Sequence, residues 1–443
     1  MALDQPIVGQ CKMPTEISGP PILLKISVWA ILVFPPYMVV ESIGASSSVS
    51  QLLAMLLMLL WLAACLFGLH KPYRNGHPGR ASLILWVLAS CAAYVSMYAG
   101  MSGNNDAIGR AAADRWMLLV FAGAGLTLTI TDAVRNRFDL LSVVRWLLAG
   151  AAFCSVIAII QFFAVTNPMD VVTANMLGFT DNGSGTTFQP RGSFTRVAGT
   201  TMHPIELGVV CSMLLPLAVW RALFDSRGSV WGRWMVVALI AVGNLVTVSR
   251  SGMLGLSLAV LAMMPFLPKF ARRWTLVIIP PALIGVFLFI PGMVTTLFET
   301  ASAGSSDSSI TYRTDDYPLA LHQVGLHPIL GKGPGNWMPT NAKDIFDNQY
   351  LLTAVTMGII GLVALVLYLV TPMLAVWKVA LCTKDDSLRC FAGAVGAALL
   401  AAVAGTGTFD SMSFQVFALI VPVFIGFSGV AWKFTRENIS CKA

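Results

Sequence analysis

Arg191 and Arg196 stand together in "TDNGSGTTFQPRGSFTRVAGTTMHP", Arg250 in "VSRSG" and Arg313 in "SITYRTDDYP". A guanidinium stays charged at any depth and grips phosphate oxygens with two parallel N–H bonds. Arginines that converge on one surface therefore point to a diphosphate or another anionic headgroup. Each arginine taken singly has a plainer reading, a solvated loop cation or a contact to anionic lipid. That reading fits Arg250 least, because apolar segments on both sides hold it at a membrane edge where a lone charge is costly.

Acid–base chemistry has candidates in the same regions: His203, Glu206, Asp315, Asp316, His322, His327, Asp347 and Asp410. "HPIELG" at 203–208 reads as a helix start, with Pro204 in the first turn and Glu206 near the positive end of the dipole. Helix capping is therefore the alternative to catalysis for His203 and Glu206. Asp347 in "FDNQYL" precedes an apolar run and reads as an N-cap that could also accept a proton. His327 opens "HPILGKGPGNW" at 327–337, whose glycines suit either a tight turn or a backbone cradle that faces an anion together with Lys332. The run lacks the Gly-Lys-Ser/Thr ending of a nucleotide-binding loop, and no residues are spaced as metal ligands.

These residues are embedded in hydrocarbon. Of 443 residues, 56% are hydrophobic and only 11% are charged, more apolar surface than a soluble fold of this length can hide. The expected fold is all-α, a polytopic integral membrane protein. A ruler of about twenty residues marks about twelve spans. They fall near 21–43, 50–69, 81–100, 116–132, 142–166, 204–222, 234–249, 251–268, 274–294, 349–372, 390–408 and 413–432. The division within 234–268 is the weakest, resting on Ser249, Arg250, Ser251 and Gly252.

With the N-terminus inside, inner connections take most of the 28 Lys and Arg residues, including Lys71, Arg74, Arg135, Arg137, Arg221, Arg233, Arg272 and Lys384. Arg110, Arg115, Arg191, Arg196, Arg250, Arg313, Lys332 and Lys343 fall outside. Both termini are then expected in the cytoplasm. The net charge of +7 is a topology signal and needs no nucleic acid. The eight cysteines form no paired framework, so neither disulfides nor zinc are expected. The chain reads as a single transmembrane domain over 1–443, with a first outer loop at 166–203 and a second at 292–348. The first favours turns over regular structure, and residues 309–324 of the second suit a short interfacial helix.

"HPILGKGPGNW", "DNQYL" at 347–351 and "MGIIGL" at 357–362, with "RVAGTTMHPIELG" at 196–208 upstream, resemble the O-antigen ligase and O-antigen polymerase family. The likeness takes in both outer loops and the span layout. It implies a multi-pass enzyme of the bacterial inner membrane, with its active site on the outer face. The donor it implies is a glycan on undecaprenyl diphosphate, the acceptor a glycan or glycolipid hydroxyl, with membrane lipids as surroundings and no cofactor or metal. Carried onto this chain, Arg191, Arg196, Arg250 and Arg313 would hold the diphosphate, with Lys332, Glu206 and Asn348 as further substrate contacts. The family's ligases carry a His-Asn pair where this chain has Asp347 and Asn348. Asp347 would then be the base, or else His203 or His327, and the departure tilts the reading toward polymerase over ligase.

A multi-span transporter or lipid-linked glycan flippase is the rival. Such proteins place ionisable groups near the bilayer midplane, often on broken helices, whereas here the polar residues gather at one face. A non-catalytic scaffold would leave Arg250 without a purpose.

Overall fold

The computed structural model describes residues 19–44, 46–72, 76–101, 106–191, 194–277, 308–339, 341 and 344–440. It is all-α apart from two small ribbons. The helices are α1 (Ile22–Val33), α2 (Val49–Leu66), α3 (Pro78–Tyr98), α4 (Ala107–Ala133), α5 (Arg137–Ala164), the short α6 (Met169–Thr173), α7 (Pro204–Phe224), α8 (Val230–Val246), α9 (Arg250–Met263), α10 (Ser308–Leu326), α11 (Gln349–Cys382), α12 (Asp386–Thr406) and α13 (Gln415–Ser440). Among the described residues, eight helices are long and apolar enough to cross a membrane, and Ile22–Val33, Val230–Val246 and Arg250–Phe266 are shorter apolar ones. The span expected over 274–294 lies almost wholly outside the described residues. α1 stops early because Pro35 and Pro36 follow Phe34, and the residue before a proline is driven out of the helical region.

Helix α13 forms the buried axis of the bundle and packs against α4, α11 and α12. Its Phe417, Phe424 and Phe427 are fully buried. Gly426 and Gly429 let α4 approach closely, at Ile130 and Thr131, the small-residue contact expected where lipid supplies no hydrophobic drive between helices.

The region 234–268 does divide: α8 ends at Val246, Val248 takes a left-handed φ of 45°, and Ser249 caps α9 by accepting from the Gly252 N–H. The first loop differs from expectation. Instead of turns alone it carries α6, the strand β2 (Thr180–Asp181), which pairs antiparallel with β1 (Met38–Val39) of the α1–α2 connection, and the hairpin of β3 (Phe188–Arg191) with β4 (Phe194–Val197). The hairpin register pairs Phe188 with Val197, Gln189 with Arg196 and Pro190 with Thr195. Phe188 and Val197 give the ribbon an apolar cross-strand pair, a signal hidden among the loop's polar residues. In the second loop the expected helix is present as α10.

The long helix α11 is broken at Gly358, whose φ of 64° and ψ of −165° no helix holds. The break strips partners from backbone groups on both sides, and residues 328–333 replace them. Lys332 N donates to Val355 O (3.2 Å) and Gly333 N to Thr356 O (2.9 Å), while Ile359 N donates to Pro328 O (2.9 Å). A buried backbone group left unpaired in lipid would cost several kcal/mol, so the loop acts as a plug of backbone in the helix. A Cβ on Gly331 would lie 2.3 Å from the Thr356 carbonyl carbon, and one on Gly358 2.3 Å from Ile329 O. Only glycine permits this approach.

Candidate functional site

The plug holds the residues on its C-terminal side in place. Gly335 sits over Ala112 O, and Asn336 is buried against Gly109 and Met97. Trp337 is thereby set beside α4, stacked on Phe346 at 4.9 Å and donating from Nε1 to Asp344 O (2.9 Å). The N–H groups of Gly331, Lys332, Gly333, Asn336 and Trp337 all donate to carbonyls of the chain, so they form no anion cradle. Lys332 instead lays its ammonium 4.9 Å from the centre of the Trp337 ring, and partial burial lowers its pKa.

Trp337 walls a cavity of about 370 Å³, a volume within the range of about 300–1,000 Å³ usual for small-molecule sites. The cavity lies at the end of the bundle where both loops converge: Met202 and Asn182 come from the first, Gly335 and Trp337 from the second. Arg115 from α4 and Asp410 from the α12–α13 connection carry its charge. Burial pushes the Asp410 carboxyl up to about 7. Its own backbone N–H and the Ser413 side chain resist the rise, the Asp347 charge adds to it, and Arg115 opposes it. Asp347 is exposed and within electrostatic reach of Asp410. Asp410 therefore keeps its proton up to near neutrality, chiefly because it is buried.

Of the residues singled out from sequence, the acid–base candidate Asp410 and the outer cation Arg115 line this cavity; the others lie near it, have other tasks or fall outside what the structure describes. Asp347 does not cap α11; its neighbour Asn348 does, accepting from Tyr350 N (2.9 Å) and Leu351 N (3.4 Å). Asn348 is the better cap because its side-chain oxygen reaches both N–H groups while its backbone stays extended. Gln349 ties the same corner to the Asp410 connection, since its N–H donates to Phe409 O (3.2 Å) and its Oε1 accepts from Met412 N (2.9 Å). This brace brings Asp347 and Asp410 together across a long stretch of chain.

His203 caps α7 with Nδ1, which accepts from Ile205 N (3.1 Å). With that lone pair taken, the ring hydrogen of neutral His203 sits on Nε2, making it a donor. Burial and then the Arg196 charge push its pKa down to about 4, so the ring is neutral at pH 7. Glu206 is fully buried, and its two oxygens accept from Met202 N (2.9 Å) and Phe417 N (3.0 Å), pinning α7 to α13. Both oxygens thus serve packing between the two helices.

Arg196 is also buried. It donates from Nε to Thr247 O (3.2 Å) and from Nη1 to Gln189 Oε1 (3.0 Å), joining the hairpin to the α8–α9 corner that Arg250 opens. The His203 ring lies 5.7 Å from that of Phe414, next to the cavity residue Ser413. His203 thus sits between the Phe414 end of the Asp410 connection and the Arg196 charge, and Arg196 reaches the corner before α9 through Thr247. The side chains of Arg191 and Arg313 lie outside what the structure describes. His327 is half-buried, and its carbonyl closes the turn to Gly331 N (3.1 Å).

Arg115 was legible only as an outer cation, because "DRWMLL" begins an apolar span and looks like its flank. Asp410 was one carboxylate among eight acid–base candidates, in a connection too short to attract notice.

Residues 235–366 match the family model described as O-antigen ligase. No curated protein matches the chain.

Proposed function

We propose that the chain, whose residues 235–366 match the O-antigen ligase family model, is a membrane glycan ligase or polymerase that moves a glycan from undecaprenyl diphosphate to an acceptor hydroxyl. The setting is the outer face of the bacterial inner membrane, with both termini in the cytoplasm. The observation that carries the reading is the loop-end cavity, lined by residues of both long loops and by Arg115 and Asp410, with Asp347 within electrostatic reach of Asp410.

In this reading the donor diphosphate sits between Arg115 and the Arg250 corner. Arg250 begins α9, where its own charge and the positive end of the helix dipole act on one place. The guanidinium groups stabilise the diphosphate as it leaves the anomeric carbon. The carboxylate pair takes the proton from the attacking hydroxyl, so that the new glycosidic bond forms as the bond to the carrier breaks. His203, already a donor, orients rather than deprotonates. Neither a nucleotide sugar nor a metal is needed in this scheme, and chain extension is favoured over transfer to a lipid core because Asp347 stands where family ligases carry histidine.

A break in a helix such as that in α11 is also a transporter feature. Here it is filled by the chain's own backbone, residues 328–333, which supports a rigid wall over a transport gate.

The test is reconstitution of the full chain in nanodiscs with a synthetic undecaprenyl-diphosphate oligosaccharide. Longer glycans on the carrier support the polymerase reading and glycan on a separate acceptor the ligase reading. An intact donor after long incubation, or release across vesicles without a new bond, overturns the enzyme assignment.

A further inference from the structure

The cavity has a second polar wall that the transfer chemistry does not use. Gln51, in the first turn of α2, and Gln415, which begins α13, both line it, and they are only 2% and 7% exposed. Gln415 is satisfied: its Nε2 donates to the hydroxyls of Ser48 and Ser50. Gln51 is not. Its Nε2 is buried without a hydrogen-bond partner among the described residues, although its backbone N–H is held by the Ser48 cap (3.4 Å). A buried amide donor left unpaired costs more than a made hydrogen bond returns, so the position favours an occupant with an acceptor oxygen.

We infer that Gln51 is a saccharide-binding residue, donating from its side-chain amide to a hydroxyl or carbonyl oxygen of a sugar held in this cavity. The inference rests on the proposed glycan transfer. The surroundings fit a neutral sugar better than the rest of the substrate. A diphosphate would gather at the cation Arg115, and a polyprenyl tail offers no acceptor oxygen. Trp116 and Trp337 bring aromatic surface to the same space, and a few placed polar groups within an aromatic pocket are the usual means of orienting a small ligand. Gln415 is locked by two serines and so fixes the wall, while Gln51 keeps its donor for the ligand.

The test compares two probes on the full chain in nanodiscs: undecaprenyl diphosphate without sugar, and the oligosaccharide released by mild acid from the cell's own lipid-linked glycan. Gln51→Met keeps the length of the side chain and removes the donor; Gln51→Leu also removes the donor and serves if the methionine variant folds poorly. The expected result is a fall in oligosaccharide affinity of roughly tenfold, the worth of one neutral hydrogen bond, with affinity for undecaprenyl diphosphate unchanged. In the transfer assay, a raised KM for the donor alone or for the acceptor alone tells which glycan occupies the subsite. Equal affinities for variant and parent, a matching loss for both probes, or no oligosaccharide binding by the parent overturns the inference. Transfer by the parent chain is scored in the same preparation, so a failed subsite is distinct from a failed enzyme assignment.

Discussion

The two ends of the helical bundle treat their carboxylates in opposite ways. At the end away from the long loops, Asp225 is gripped by Arg145 at 2.7 and 2.6 Å and by Arg221 at 3.4 Å. Burial alone would raise its pKa, but the hydrogen bonds from Arg145 and from the Arg227 N–H outweigh burial and hold it at about 2. Asp132 likewise accepts from Arg80, from Trp61 Nε1 (3.0 Å) and from His70 Nε2 (3.0 Å). At the loop end, Asp410 is half-buried beside a cavity and held at about 7 by burial, with the like charge of Asp347 adding to it. Asp225, which closes that end of the bundle, is held ionised. A carboxylate that changes state near neutrality is suited to moving a proton.

Exchanging each kind of carboxylate for its amide separates the two ends most directly. Asp410→Asn is expected to lower transfer at least about a hundredfold, the usual worth of a general base, with the amount of folded protein unchanged. Asp225→Asn is expected to do the reverse. It strands Arg145 and Arg221 with a neutral partner, a loss of roughly 3–5 kcal/mol for a broken buried pair, while turnover per folded molecule is kept. Transfer in nanodiscs and thermal unfolding by fluorescence-detected size exclusion measure the two effects. If both variants lose stability and neither loses turnover per molecule, the ends do not differ in kind.

The cations offer the next largest contrast. Arg115→Ala and Arg250→Ala should each raise the KM for the donor about tenfold to a hundredfold, the worth of a charge-assisted hydrogen bond to phosphate. Arg80→Ala at the opposite end should leave KM alone and reduce yield. A donor KM indifferent to both loop-end arginines would remove the diphosphate from this corner.

The eight long spans among the described residues were legible because about twenty apolar residues need no partner to declare themselves. The α8–α9 division was also marked, since Ser249 and Gly252 are cap and turn residues. The hairpin at 188–197 was not, because its apolar residues are few and its pairing is made to one neighbouring strand. The glycines of 331–335 were legible as a turn, but not the break that receives them. Gly358 in "MGIIGL" looks like any small residue of a span until residues 328–333 are laid against it. Arg196 shows the limit of residue type. As a cation in a long loop it suggested a ligand contact, yet Gln189 and Thr247 occupy it. Asp410 shows the converse, for its character comes from burial and from Asp347, which a local reading of "GTFDSMS" does not contain.

The plug permits a smaller test that links the ends through packing. Gly331→Ala puts a methyl against the backbone of Thr356 at a φ of 66°, and neither strain is relieved by a side-chain rotation. A stability loss of roughly 1–3 kcal/mol is expected from the conformation alone. Turnover should fall further than stability, because Trp337 hangs from the same loop. A variant that is less stable but keeps its KM and kcat would separate the plug from the cavity.

The mildest perturbation is pH, and it acts on the two ends with opposite sign. Asp410 binds its proton more tightly folded than unfolded, where a carboxyl titrates near ~3.9. Between about 4 and about 7 the folded chain therefore holds more protons there, and its contribution to stability, complete below about 4, is lost as pH rises through about 7. Transfer should rise over the same interval, since the ionised form is the base. Asp225 has the depressed value of about 2, so its stabilisation is present above about 4 and lost only as pH falls toward 2. Thermal unfolding of the parent and of Asp410→Asn at pH 5 and pH 8 isolates the first contribution. The amide should gain stability relative to the parent at pH 8 and little at pH 5. A difference independent of pH would mean that Asp410 does not titrate in this range, and the acid limb of the transfer profile would then belong to another group.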